Sequence, residues 1–261
     1  MPILIRKPLR LLIAATAIIL PLLQSAARAL PEAEVSTKLD SILMLMAVDT
    51  QGSPRAIKAT VDGKAANAYL AAMSVAAAEE ITAGKRYSVS KQVAATLRFA
   101  PVSLAKFYQL LKPLLEKNPK DVGVIAPDPA QISTAEKLLS DQKIPSAQAK
   151  QIANLQPMIF CPEPGLLVSF NEGPEKGKQF VPCAAEAGFV ESIVQRGIKE
   201  SPQLAKSNLR VVAIPLNSFV AYLRKEPAER VGQLRIVPSG RLVELVQQLN
   251  KQGAKPTPPS K

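Results

Sequence analysis

The chain has 261 residues, of which 47% are hydrophobic and 21% charged, and its formal net charge is +12. This composition can bury a core and argues against global disorder. Histidine is absent, which excludes histidine general bases, Ser-His and Cys-His dyads and most catalytic zinc sites. The sequence has no basic run with interleaved aromatic residues, so we expect no nucleic-acid partner.

Residues 1–29 have the pattern of a secretory signal peptide. A basic segment precedes the apolar run 11–23, and the sequence Ala-Arg-Ala at 27–29 supplies small residues at the cleavage positions, so we place the cut after Ala29. The alternative is an uncleaved anchor, but the run is short for a membrane span and contains Pro21. We therefore expect an exported protein, located in the periplasm, the thylakoid lumen or an equivalent intermembrane space.

Removal of the signal peptide would remove four basic residues and no acidic ones, which lowers the net charge to +8. A mildly basic exported protein can make peripheral contact with anionic lipid or an acidic partner, although solubility is the simpler reading of the charge.

The first half, 30–145, shows a series of alternating strand and helix signals. Proline and acidic residues favour a helix at 31–41, and Ser74 and Gly84 bound a later helix. The predicted elements are, in chain order, helix 31–41, two strands around a Gly-Ser-Pro turn at 52–54, a strand from 68, helix 74–84, strand 96–102, a helix from Ser103, strand 122–127 and helix 129–142.

The second half, 146–250, begins with a connector at 144–156 and then repeats this order. We predict a hairpin of strands 158–161 and 166–170, strand 178–183, helix 184–197, strand 209–214, helix 218–225, strand 234–238 and helix 240–250. The tail 251–261 lacks an apolar pattern, and we expect it to be disordered.

An internal repeat relates the two halves. A shift of 112 residues superimposes two stretches without a gap, and it matches Leu97 with Leu209, Arg98 with Arg210, Leu104 with Leu216, Phe107 with Phe219, and Leu111 with Leu223. A unit of this size is too large for a solenoid repeat. We therefore predict an α+β fold with two pseudo-symmetric halves, each β-β-β-α-β-α-β-α, packed about a pseudo-twofold axis.

One motif could carry catalysis. Ser103 and Lys106 match the S-x-x-K pattern of serine-lysine hydrolases, in which the lysine activates the serine. However, Ser103 aligns in the repeat with Pro215, and both residue types suit the start of a helix. We interpret Ser103 as a helix cap and expect no enzymatic activity; a periplasmic serine-lysine hydrolase is the alternative.

Cys161 and Cys183 are the only cysteines. In an exported protein a pair indicates a disulfide, but a simple meander would place these two residues on either side of a middle strand, beyond bonding distance. A bridge requires the third strand to pair beside the first, and the sequence leaves both arrangements open. We expect no metal and no cofactor.

The order of these elements resembles a known family. The segment ALPEAEV from Ala29, the motif D-x-x-G-x-P from Asp49 to Pro54, and the junctions VAIPLNSFVAYL from Val212 and LRIVPS from Leu234 are similar to the twenty-two-kilodalton Tic family. Its members are soluble proteins of the chloroplast intermembrane space that take part in protein import, and its cyanobacterial members are periplasmic.

The resemblance implies a non-enzymatic, chaperone-like factor in protein translocation and outer-membrane biogenesis. The implied partners are unfolded precursor or outer-membrane proteins and the periplasmic domains of a β-barrel assembly protein. The predicted apolar grooves would lie at the helix faces beside the repeat, with candidate residues Leu104, Phe107, Leu111, Phe219, Tyr222 and Leu223. The alternatives are that these side chains form the core, or that the protein is a purely structural docking module.

Overall fold

A computed structural model describes residues 29–61, 63–169 and 176–253. The predicted signal peptide, apart from Ala29, lies outside these residues, as does 254–261 of the predicted tail. Residues 251–253 belong to the last helix.

Among the described residues, the N-terminal half contains five strands, five α-helices and one short 3-10 helix, Pro129–Gln131. Serine side chains accept hydrogen bonds at three helix starts, where Ser74, Ser90 and Ser103 bond the amides of Ala77, Val93 and Lys106. The elements are α1 (Glu32–Asp40), β1 (Leu43–Val48), β2 (Ala56–Val61), β3 (Lys64–Ala72), α2 (Val75–Thr82), α3 (Lys91–Ala94), β4 (Arg98–Ser103), α4 (Leu104–Lys117), β5 (Val122–Ala126) and α5 (Ile132–Asp141).

The C-terminal half repeats this order with one further short helix. Prolines rather than serines precede several of its helices, and Pro215 holds the position before α9 that Ser103 holds before α4. The elements are α6 (Ser146–Leu155), β6 (Met158–Glu163), β7 (Val168–Ser169), β8 (Gln179–Ala184), α7 (Ala187–Glu200), α8 (Gln203–Lys206), β9 (Arg210–Pro215), α9 (Leu216–Lys225), α10 (Ala228–Val231), β10 (Leu234–Val237) and α11 (Gly240–Gly253).

The strands form two sheets with the same order. In the N-terminal sheet the strands β5, β3, β1 and β4 lie side by side, and β2 also pairs with β3. In the C-terminal sheet the equivalent strands β10, β8, β6 and β9 lie side by side, and β7 also pairs with β8. In each sheet one edge strand, β5 or β10, runs parallel to its neighbour, and the remaining pairs are antiparallel. The predicted α+β class is confirmed, and packing about a twofold axis stays a prediction.

The pairing register also repeats between the sheets. The first and fourth strands of each half pair over six residues, from Leu43↔Ser103 to Val48↔Arg98 and from Met158↔Pro215 to Glu163↔Arg210. The repeat found in the sequence therefore extends to residue-level strand pairing, because the same side chains must face the same core in each copy.

A shared apolar core joins the two sheets. It contains strand residues of both halves together with α1, α4 and α9, and its largest members include Phe107 of α4 and Phe219 of α9, which are buried. A second cluster covers the outer face of the N-terminal sheet, and a third covers that of the C-terminal sheet.

The outer clusters exchange helices between the halves. α5 packs against β9 of the C-terminal sheet, and α11 packs against β1 of the N-terminal sheet. The chain boundary that we placed at 145/146 therefore does not coincide with the packing boundary, because each sheet has its outer face covered by the last helix of the other half.

Two predicted elements are wrong. The segment 144–156 is not a connector, since it contains the helix α6, whose buried face consists of the small residues Ala149 and Ala153. The predicted hairpin of β6 and β7 does not form either, because β8 and β9 occupy the two edges of β6, and β7 pairs with β8.

This strand order brings the two cysteines together. β6 and β8 are neighbours, and a disulfide joins Cys161 to Cys183 with a Cα–Cα distance of 4.4 Å. Both cysteines are buried in the shared core. The sequence left the pairing open, and the structure realises the arrangement in which the third strand lies beside the first.

We expect Phe219→Ala to lower the free energy of unfolding by about 3–5 kcal/mol, because it leaves a cavity in the shared core. Tyr222→Ala on the same helix is the matched control, since Tyr222 is 40% exposed, and should cost less than about 1 kcal/mol. Urea unfolding measures both variants. Equal losses of unfolding free energy in the two variants would contradict the burial of Phe219 in the shared core.

Removal of the disulfide through the double substitution Cys161→Ala and Cys183→Ala should cost about 3 kcal/mol, because the bridge closes a loop with a sequence separation of 22 residues. Urea unfolding with and without a reductant tests this. The reductant should destabilise the wild type and leave the double variant unchanged, and a wild type that does not respond to complete reduction would overturn this expectation.

Candidate functional site

The six predicted groove residues divide into core and surface. Leu104, Phe107, Leu111, Phe219 and Leu223 are buried in the shared core, whereas Tyr222 is 40% exposed. The amphipathic faces of α4 and α9 therefore serve chiefly to hold the sheets together. Phe107 and Leu111 also form part of the wall of an open cleft.

This cleft, which we call the α4–β5 cleft, has a volume of about 580 Å³. It lies between α4, the edge strand β5, α9 and the end of α6 with the two residues that follow it, and Val61 and Tyr87 also line it. Its apolar lining includes Phe107, Tyr108, Leu111, Leu115, Ile125 and Leu155. A volume of this size lies within the usual range of ligand sites in proteins, about 300–1,000 Å³.

A glycine sets how closely α4 approaches β5. A Cβ atom at Gly123 would lie 2.7 Å from Cδ1 of Leu111 and 3.8 Å from Cζ of Phe107. A Cβ at this position would force the Leu111 side chain to move, so Gly123 allows α4 to form one wall of the cleft directly beside the backbone of β5.

The charge in the cleft is positive. Lys112 and Arg224 line it, and none of the described lining residues carries a carboxylate. Arg224 forms an ion pair with Glu32 of α1 at 2.8 Å. Burial raises the pKa of Tyr108, and the nearby Arg224 opposes this shift, so the phenol stays neutral and serves as an amphipathic contact.

The side chains of the two residues of the S-x-x-K motif have different hydrogen-bond partners. The Ser103 hydroxyl donates to Oδ1 of Asp40 at 2.6 Å and accepts the amide of Lys106 at 3.1 Å. The Lys106 ammonium donates instead to Oε1 of Gln109 at 3.0 Å. Ser103 therefore acts as a helix cap in this arrangement, and Lys106 is not placed as its base.

Other kinds of site are not found in the ranges that the structure describes. No group of three or more Cys, Asp or Glu side chains there could hold a metal ion. Within the same ranges, no helix has the length and apolar character needed to span a membrane.

Sequence reasoning missed most of the cleft. Tyr108 and Leu115 lie on α4 beside predicted residues, whereas Gly123 and Ile125 belong to β5 and Leu155 ends a helix that was not predicted. One signal was present in the sequence: β5 is an edge strand without proline or charge, and most proteins protect such edges.

Two sequence comparisons found nothing. No protein-family model matches this sequence, and no curated protein matches it.

Solved structures do match. The chain resembles the structure of the protein-transport protein Tic22 from Anabaena, with a TM-score of 0.63 and a sequence identity of 16%. This match covers 88% of this chain and 100% of that one. It also resembles Tic22 from Plasmodium falciparum, with a TM-score of 0.57 and 18% identity over 85% of this chain and 99% of that one.

The class of protein follows from the geometry: a duplicated α+β fold with two sheets on one core and an open apolar cleft. The resemblance drawn from the sequence is confirmed at the level of the fold, since the chain has the fold of the two Tic22 structures over 88% and 85% of its length.

We expect Ser103→Ala to lower the free energy of unfolding by about 1 kcal/mol through loss of the cap. A fluorophosphonate serine probe should leave Ser103 unmodified, because Asp40 and the Lys106 amide hold its hydroxyl in the helix cap and the Lys106 ammonium bonds to Gln109 instead. Intact-protein mass spectrometry checks the labelling, and an adduct that Ser103→Ala abolishes would favour the hydrolase.

Proposed function

We propose that this protein acts in protein translocation as a non-enzymatic, chaperone-like factor that binds unfolded precursor proteins in the α4–β5 cleft. One observation carries the proposal: an open apolar cleft of about 580 Å³ on a chain with the fold of a protein-transport protein. The cleft combines apolar side chains with few charges.

The chemistry of an unfolded client fits this cleft. An unfolded chain exposes apolar side chains and unpaired backbone groups, and a receptor for it needs apolar contact but no reactive atom. The α4–β5 cleft supplies half-buried Tyr108 and Leu115 on one wall and Ile125 on another. Contacts of this kind bind many sequences, as a carrier of varied precursors requires.

The proposed location is the periplasm or an equivalent space between two membranes. The signal-peptide pattern at 1–29 supports export. In that compartment the disulfide of Cys161 and Cys183 would persist. The proposed clients are precursors of outer-membrane proteins, and the proposed assembly partner is the set of periplasmic domains of a β-barrel assembly protein.

A photo-crosslinking amino acid tests client binding. Placed at Lys112, which is exposed at the rim of the cleft, it should form adducts with an unfolded outer-membrane protein at least about five-fold more than at Lys117. Lys117 is the matched control, because it is exposed on the same helix and lies outside the cleft lining.

The folded form of the same client should give no adduct at Lys112, since its apolar side chains are buried. Gel shift and mass spectrometry quantify the adducts. No adduct with the unfolded client, or equal adducts at Lys112 and Lys117, would overturn the proposal and favour a structural docking module.

A further inference from the structure

The duplication supplies an internal comparison for the cleft. β5 and β10 occupy the same place in their sheets, and each pairs in parallel with the third strand of its half. The registers Tyr69↔Gly123 and Val181↔Leu234 are counterparts, because Tyr69 and Val181 are related by the repeat shift of 112 residues. Gly123 therefore corresponds to Leu234, and Ile125 corresponds to Ile236.

In the C-terminal half this edge is closed. α1 packs against β10, and the ammonium of Lys38 donates to the carbonyl of Leu234 at 2.6 Å and to that of Gly232 at 2.9 Å. Burial lowers the pKa of Lys38, as expected for an ammonium partly withdrawn from water. The Lys38 ammonium thus satisfies the carbonyl of Leu234, on the edge of β10 that does not pair with β8.

In the N-terminal half the same edge is open. The helix that precedes β6, α6, corresponds in chain order to α1, but it packs against α5 and the outer face of the C-terminal sheet through Ala149 and Ala153. Among the lining residues from this region, only Leu155 and the two residues that follow it reach the cleft. Gly123 is exposed, whereas Leu234 is half-buried.

The backbone direction of β5 follows from its hydrogen bonds. The carbonyl of Ala126 accepts the amide of Met73 at the end of β3, so Ala126 faces β3. Because successive residues of a strand direct their backbone groups to alternate edges, Gly123 and Ile125 direct their N–H and C=O groups away from β3. Both residues line the α4–β5 cleft.

The edge of β5 also lacks the proline and charged residues that often prevent strand pairing. β4 and β9, the edge strands on the opposite sides of the two sheets, carry prolines and arginines, at Arg98, Pro101, Arg210 and Pro215. Val122–Ala126 contains neither residue type. An apolar edge of this kind is a ready template for another strand.

We infer that the occupant of the α4–β5 cleft is an extended peptide segment that adds as a strand to β5, through hydrogen bonds to the backbone of Gly123 and Ile125. Its alternate side chains are apolar and contact Tyr108 and Leu115, and its flanking residues are acidic because Lys112 lines the cleft with no carboxylate among the described lining residues. This inference rests on the proposed function and names the segment recognised: an amphipathic β-strand with acidic ends.

Amide hydrogen exchange of the full chain tests the mode of binding. The probe is a peptide of alternating valine and threonine with a glutamate at each end. At saturating peptide, exchange at the Gly123 and Ile125 amides should slow by at least about ten-fold. Their counterparts Leu234 and Ile236 are the matched controls and should not change. Binding without protection at Gly123 and Ile125 would overturn the inference.

A second peptide separates this inference from the proposed function. N-methylation of the four central amides keeps every side chain but removes the backbone donors, and it should weaken binding at least about ten-fold. If both peptides bind equally, strand addition is wrong and the apolar cleft still binds clients. If neither peptide binds, and an unfolded outer-membrane protein does not bind either, the proposed function fails as well.

A third peptide with lysine in place of each glutamate tests the charge of the occupant. It should bind at least about three-fold more weakly at low salt, because lysine is repelled by Lys112. Equal binding of the lysine and glutamate peptides would overturn the acidic preference.

Discussion

The packing of two sheets against one apolar core is the constraint on which the rest of the structure depends. Phe107 and Phe219 hold repeat-related places in this core, and neither sheet could bury its inner face without the other. Burial of apolar surface is the dominant favourable term in folding. The faces of α4 and α9 that suggested client grooves are therefore committed to holding the halves together.

The exchange of the last helices strengthens this dependence. Since α5 covers the C-terminal sheet and α11 covers the N-terminal sheet, separation of the halves would expose the outer faces as well as the inner ones. The disulfide adds a covalent link between β6 and β8 inside the same core. We expect such a body to be rigid, and the proposed binding site lies where the two halves differ.

The halves differ in the position of the helix that precedes the first strand of each half. α1 places Lys38 at the edge of β10. In contrast, α6 packs Ala149 and Ala153 against the outer face of the C-terminal sheet and does not cover the edge of β5. The edge of β10 therefore has a hydrogen-bond donor within the protein, whereas the edge of β5 faces the open α4–β5 cleft. A different position of one helix in each half thus leaves one sheet edge covered and the other as a candidate binding site.

Much of the fold could be predicted from the sequence, because the signals are local. Ser74 and Ser103 cap helices, and the repeated spacing of leucine and phenylalanine marks the buried faces of α4 and α9. Such signals depend only on the period of the backbone and on caps within a few residues. The α6 helix was not predicted, because its buried face is built from Ala149 and Ala153 rather than from large apolar residues.

The duplicated order of elements and the helix-start role of Ser103 were therefore determined by the sequence alone. The tertiary structure decided which edges of β6 are paired, and hence that Cys161 meets Cys183. It also decided on which face α6 packs, and hence that Gly123 and Ile125 border an open cleft. Strand neighbours and helix sides depend on contacts between residues far apart in the chain, which no local pattern encodes.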